Sequence, residues 1–188
     1  MALIVAGAVP KRLEYLVLLD SAGPAALEPD QIPRNMEKAI ADRLRLLARQ
    51  PRTYKTTEEA VSRMLQSDAK LSLEAARLLV ERSTEKVAPA GIQFSHDPRL
   101  FGRGFLVLTE EVVLAYIRRI VCPTLIVWAS HRWYSLDRAK IDARQQAFQN
   151  LQLSYAEGSH HVHLENPERV APLLLDFLIG LRTPSARL

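Results

Sequence analysis

The 188-residue sequence contains a single cysteine, Cys122, so no internal disulfide staples it and the chain suits a reducing compartment. Its neighbours, Ile120-Val121 and Pro123, are apolar, and the thiol reads as a small buried hydrophobe. No apolar run approaches the roughly 18 residues that a membrane span needs. The opening stretch from Met1 to Ala8 is apolar but has no basic region before it, which makes it a poor secretory signal. Blocks of like charge are missing too. The 25 basic residues are interspersed with 21 acidic ones, and a net charge of +4 gives weak steering toward anions. No nucleic-acid recognition motif accompanies that charge, so no nucleic-acid partner is expected. Internal repeats and low-complexity tracts are also lacking.

What is present is the make-up of a globular protein, 48% hydrophobic and 24% charged, with enough apolar material for a real core. Ala2 to Val9 has a helix-like apolar pattern closed by Pro10, and Leu13 to Leu19 is a nearly unbroken apolar run ending at Asp20. Short runs of that kind suit strands buried on both faces of a parallel sheet. From about Glu28 to Ile120 the sequence reads as helices joined by polar turns. Met36, Ile40, Leu44 and Leu47 fall on one side of a helix from Met36 to Ala48. Thr56, Ser72 and Thr109 each stand before an acid-led helical stretch as N-caps, and Gly91 to Gly104 reads as a loop. Thr124 to Ala129 is a second buried-strand run, Ser135 can cap a helix through Gln149, and Leu151 to Ala156 is a shorter strand. Asn166 caps a last helix with Pro167 at its first position, and Gly180 stands where a C-terminal glycine belongs. Strand, helical insertion, strand, helix, strand, helix is an α/β arrangement.

Two segments resemble the α/β-hydrolases. Pro123-Thr124-Leu125-Ile126-Val127-Trp128 is similar to that family's penultimate strand, and Glu157 to Glu168, with His160, His161 and His163, to its histidine loop and following helix. A third segment, Ala6 to Gly23, resembles the helix after the nucleophile and the strand leading to the lid. Arg82 and His96-Asp97-Pro98-Arg99-Leu100 look most like serine hydrolase-like proteins. The resemblance implies the C-terminal part of a hydrolase sheet, with three parallel strands and a helical lid insertion. It divides the chain into 1–27 (post-nucleophile helix and strand), 28–120 (lid) and 121–188 (C-terminal core with the histidine loop).

The resemblance also implies an order of nucleophile, acid and histidine, with the nucleophile on a Gly-x-Ser-x-Gly elbow. No serine among the 188 residues has glycine at both two-residue offsets. The nucleophile is therefore expected outside this sequence, together with the oxyanion donors and the first strands of the sheet. Leu13 to Leu19 is then expected to have an unpaired edge and an uncovered apolar face, poorly soluble or partly molten unless a protein partner covers it.

His160 aligns with the family's general base. Its histidine neighbours form a weak metal-ligand set without Cys or Glu-x-x-His, and neither a metal nor a cofactor is expected. The acid is open between two residues. Where the family offers Gly-x-x-Asp after the penultimate strand, this sequence has Ser130-His131-Arg132-Trp133, and an arginine only donates. Asp137 follows closely. Asp20 ends the strand before the lid, where haloalkane dehalogenases carry their acid. Phe94, Phe101, Phe105, Trp128, Trp133 and Tyr134 could line a pocket, though ordinary core packing explains them as well.

For complete relatives the resemblance implies ester-type hydrolysis of a small hydrophobic acyl substrate, the chain alone being inactive. The alternative is a non-catalytic truncated product that acts by binding a partner. Ala186-Arg187-Leu188 resembles a peroxisomal address, so the expected location is cytoplasmic or peroxisomal.

Overall fold

A computed structural model describes residues 1–97, 100, 102–105, 107–131 and 137–182. The elements, in chain order, are α1 (Ala2–Ala8), β1 (Leu16–Leu19), α2 (Ile32–Leu47), α3 (Thr57–Ser67), α4 (Leu73–Ser83), β2 (Thr84–Lys86), β3 (Ile92–Phe94), α5 (Glu110–Arg118), β4 (Thr124–Ala129), α6 (Arg138–Ala147), β5 (Leu151–Ala156), α7 (Val162–Glu165) and α8 (Pro167–Arg182). They fall into two units, Met1–Ala26 with Leu108–Leu188, and Leu27–Val107. Among the described residues no helix is long and apolar enough to cross a membrane. The resemblance residues Pro98 and Arg99, the aromatics Phe101, Trp133 and Tyr134, Arg132, the expected cap Ser135 and the Ala186-Arg187-Leu188 terminus lie outside the described residues.

The first unit is built on three parallel strands in the order β1-β4-β5, as an α/β sheet requires. Leu16 pairs with Thr124 and Thr124 with Leu151, so the strands start level. Every residue of β4 is buried, which explains its unbroken apolar sequence: it has a strand on each side and helices on both faces. Leu18, Ile126 and Trp128 point into one cluster with Leu3 and Ala6 of α1, Val113 and Ile117 of α5, and Ile141 of α6. Leu125, Val127 and Ala129 point into the other, with Val170 and Phe177 of α8. Gly7 is needed where α1 crosses α5, because a Cβ there would overlap the Tyr116 backbone.

This packing corrects the expected boundary of the insertion. α5 belongs with the sheet, not with a segment running to Ile120, because its Val113 and Ile117 are wholly buried in the same cluster as β1 and β4. The expected uncovered face of β1 is also corrected. Leu16 and Leu18 are buried, and Val17 and Leu19 are half-buried against the α8 cluster. What is open is the edge, since among the described residues β1 pairs with β4 alone.

One buried charge ties this unit together. The Arg144 side chain is fully buried, and its Nε and Nη2 donate to the two Glu110 carboxylate oxygens at 2.7 Å each. Its Nη1 donates to the Ala22 and Pro24 carbonyls at 3.2 and 2.9 Å, clamping the turn that follows β1.

The second unit holds α2, α3, α4 and an antiparallel hairpin of β2 with β3, so part of the expected Gly91–Gly104 loop is a strand. Thr56 and Ser72 cap α3 and α4 as their sequences predict, accepting from Glu59 and Ala75 N–H. Helix α2 buries Ala39, whereas Ile40, Leu44 and Leu47 are exposed. Periodicity marks an apolar stripe without saying what covers it. In α8, Gly180 is not a terminator: the helix runs through it to Arg182.

Two outcomes are expected. Glu110→Ala leaves the Arg144 guanidinium buried without its carboxylate and lowers unfolding free energy in urea by about 3–5 kcal/mol, whereas exposed Glu111→Ala changes it by less than about 0.5 kcal/mol. Burial holds the Cys122 thiol above its ordinary pKa, so native protein resists alkylation at pH 7.5 and reacts fully once unfolded.

Candidate active site

Asp20 follows β1 directly and adopts φ +46°, the left-handed region that Asp tolerates better than most residues. Its side chain is fully buried. The Asp20 N–H donates to the Val127 carbonyl at 2.7 Å, so the β1–β4 ladder continues one residue past the strand. The Ala129 N–H then donates to Asp20 Oδ1 at 3.1 Å. One carboxylate oxygen is thereby fixed by the backbone, and the other faces His160.

His160 lies in the loop between β5 and α7, with about a third of its side chain exposed. Its Nδ1 stands 2.9 Å from Asp20 Oδ2. An ionised carboxylate only accepts, so Nδ1 carries the proton and Nε2 carries the lone pair that can take one. A histidine held in this way by a buried carboxylate is equipped as a general base. Both residues sit beyond the C-terminal ends of parallel strands, where open α/β sheets place their ligands.

The loop carrying His160 is pinned to its neighbours. Gly158 has φ +146°, a conformation that an L side chain strains to adopt. Its N–H donates to Ser130 Oγ at 3.2 Å, and its carbonyl accepts the His131 N–H at 2.9 Å. The Asn166 side-chain amide donates to the Glu157 carbonyl at 2.6 Å, while the Asn166 carbonyl accepts the first N–H groups of α8. His161 and His163 are close by, with ring centroids 5.5 Å from His160 to His161 and 6.1 Å from His161 to His163. Partial burial lowers the His163 pKa, as do the neighbouring His161 and His160, while Glu165 works the other way. Among the described residues no group of three or more His, Cys, Asp or Glu side chains is arranged to hold a metal.

The structure thus brings His160 together with Asp20. Asp137 is exposed and caps α6, its Oδ1 accepting the Ala139 N–H at 3.0 Å. It takes the capping role expected of Ser135, because helix α6 begins at Arg138 and Asp137 is the residue adjacent to its first free N–H groups. The aromatic residues divide. Trp128 is wholly buried in the sheet core, and Phe94 and Phe105 belong to the second unit, where Phe94 stacks on His96 and Arg43 lies over Phe105. Sequence reasoning missed Arg144, which reads as one more charge on a polar helix, and the Ala129 N–H, which no sequence pattern marks.

No protein-family model matches the sequence. A serine hydrolase-like protein of Dictyostelium discoideum is 29% identical over 188 residues, which cover 95% of this chain and 52% of that protein. One of Danio rerio is 28% identical, covering 90% of this chain and 54% of its own length. The crystal structure of a hypothetical protein from Pseudomonas aeruginosa superposes with a TM-score of 0.83 at 29% identity, over 94% of this chain and 63% of that one. The chain has the α/β-hydrolase fold and is similar in sequence to serine hydrolase-like proteins. A thioesterase domain from the curacin biosynthetic pathway shares the α/β-hydrolase fold at 21% identity and a TM-score of 0.72. The chain spans about half the length of the curated relatives it matches. Within this α/β-hydrolase sheet, Asp20 ends the strand that pairs with the penultimate one, and His160 follows the last.

In proton NMR at low temperature, the His160 Nδ1–H is expected downfield of the amide region. Asp20→Asn removes that resonance and Asp137→Asn leaves it in place. The opposite pattern would make Asp137 the histidine's partner.

Proposed function

We propose that this chain carries the general base and the acid of a serine hydrolase acting on hydrophobic esters, with His160 as base and Asp20 as the group that orients it. The 2.9 Å contact between His160 Nδ1 and the buried Asp20 Oδ2 carries this reading. The serine hydrolase-like relatives support the reaction class, and the esterase and thioesterase folds it resembles are consistent with an acyl substrate. In the reaction, Nε2 would take a proton from a serine hydroxyl, and Asp20 would stabilise the imidazolium that forms. The helical unit, Leu27–Val107, would correspond to the insertion that such hydrolases use as a lid.

The serine and the oxyanion donors are not among the residues that the sequence pattern or the site identifies. A triad without its nucleophile loses about a million-fold in kcat. We therefore propose that the 188 residues alone do not turn over esters. The second reading, a non-catalytic product that binds a partner, is favoured by one observation: the β1 edge, where among the described residues only β4 is paired, is open to a further strand.

With p-nitrophenyl butyrate, the purified chain is expected to give no rate above that of His160→Ala and no labelling by a fluorophosphonate probe. Turnover that His160→Ala abolishes would show a nucleophile within these residues and overturn the inactive assignment.

A further inference from the structure

The bonds described so far fix Asp20, and the position of the His160 ring depends also on the loop that carries it. That loop is closed by a carboxylate. Glu165, the last residue of α7, accepts the Ser159 N–H on Oε2 at 2.6 Å and the Ser159 hydroxyl on Oε1 at 2.8 Å. Ser159 is buried, and its Oγ in turn accepts the His161 N–H at 3.3 Å. The Ser159 carbonyl accepts the Val162 N–H at 3.0 Å. Ser159, before His160, is thus held by a side chain six positions further on, and the N–H of His161, after it, is held through the Ser159 hydroxyl. Gly158 completes the fit, since a Cβ there would come within 3.1 Å of Glu165 Oε2.

A loop could be stiffened more simply by backbone turns. Placing a carboxylate in a partly buried position has a desolvation cost, and here two hydrogen bonds to one serine offset it. Those bonds converge on the residue immediately before the histidine. We propose that Glu165 is the positioning residue for His160: by gripping Ser159 through both its N–H and its Oγ, it sets the ring where Nδ1 meets Asp20. This deepens the proposed function and rests on it. Glu165 acts through the loop and has no part in proton transfer.

The test uses the full chain and the His160 Nδ1–H resonance, with thermal melts to establish that each variant folds. Glu165→Ala, with a cooperative melt retained, is expected to lose that resonance. Glu165→Gln keeps an acceptor for the Ser159 N–H and a polar partner for its Oγ, and is expected to restore it. Ser159→Ala is the second variant, to be used if Glu165→Ala does not fold. It removes only the Oγ link and is expected to speed solvent exchange of the proton by up to about ten-fold, the worth of one hydrogen bond. A resonance unchanged in folded Glu165→Ala, or exchange unchanged in Ser159→Ala, overturns the positioning role. Absence of the resonance from the wild-type chain would overturn the His160–Asp20 pair itself, so the two failures are distinguishable.

Discussion

The parallel pairing of β1 with β4 fixes the rest of the site, because it decides what happens at the end of the ladder. Leu19 is level with Val127, and the next N–H, that of Asp20, still bonds across to β4. The following link is returned by a side chain, as Asp20 Oδ1 takes the Ala129 N–H. The ladder passes from backbone to carboxylate at the point where the chain turns away. A register slip of one residue would turn Asp20 to the opposite face and remove it from His160. The left-handed backbone at Asp20 costs on the order of 1–3 kcal/mol. Hydrogen bonds to a charged group contribute about 1.5–3 kcal/mol each, so the bonds from Ala129 and His160 are enough to hold the turn.

The charges are distributed in the same sense. Exposed pairs such as Arg45–Asp42 or Arg138–Asp142 contribute about 0–1 kcal/mol and position nothing in the site. The Arg144–Glu110 pair is different. Its guanidinium is fully buried, bidentate on Glu110, and donates through Nη1 to the Ala22 and Pro24 carbonyls after Asp20. Breaking a buried pair is costly even where forming it gains little, so such a pair resists drift in the turn it clamps. Two carboxylate-based clamps thus flank the candidate dyad: Glu110 through Arg144 behind the acid, and Glu165 through Ser159 behind the base.

Much of this was legible in the sequence, and the limits are physical. The strand Thr124–Ala129 was readable because burial on both faces demands an unbroken apolar run. The caps Thr56, Ser72 and Thr109 were readable because capping is a local event, settled within one turn. Asp20 could be named only as one of two acids, because the choice depends on strands that meet across more than a hundred residues of chain. Asp137 drew attention by its nearness to the penultimate strand, yet a helix start uses its carboxylate first. The apolar stripe of α2 was legible as a pattern, but its exposure was not, since periodicity records amphipathicity and not the neighbour. Arg144 and Glu165 were invisible as special residues, because a charge on a helix becomes structural only when tertiary packing excludes water around it.

In the proposed reading, the base is prepared independently of its reaction. The groups that set the His160 ring (Asp20, the Ala129 N–H behind it, Gly158, Ser159 and Glu165) all lie in the unit built on β1, β4 and β5. Orientation and tautomer follow from that unit's own hydrogen bonds. In the proposed reaction, a nucleophile has to be placed against the imidazole by other means. In that reading, catalytic power depends on both base and nucleophile, but the geometry of the base depends on this unit alone. The loop around His160 therefore keeps a physical reason for its form, bond by bond, in a chain whose residues show no serine elbow.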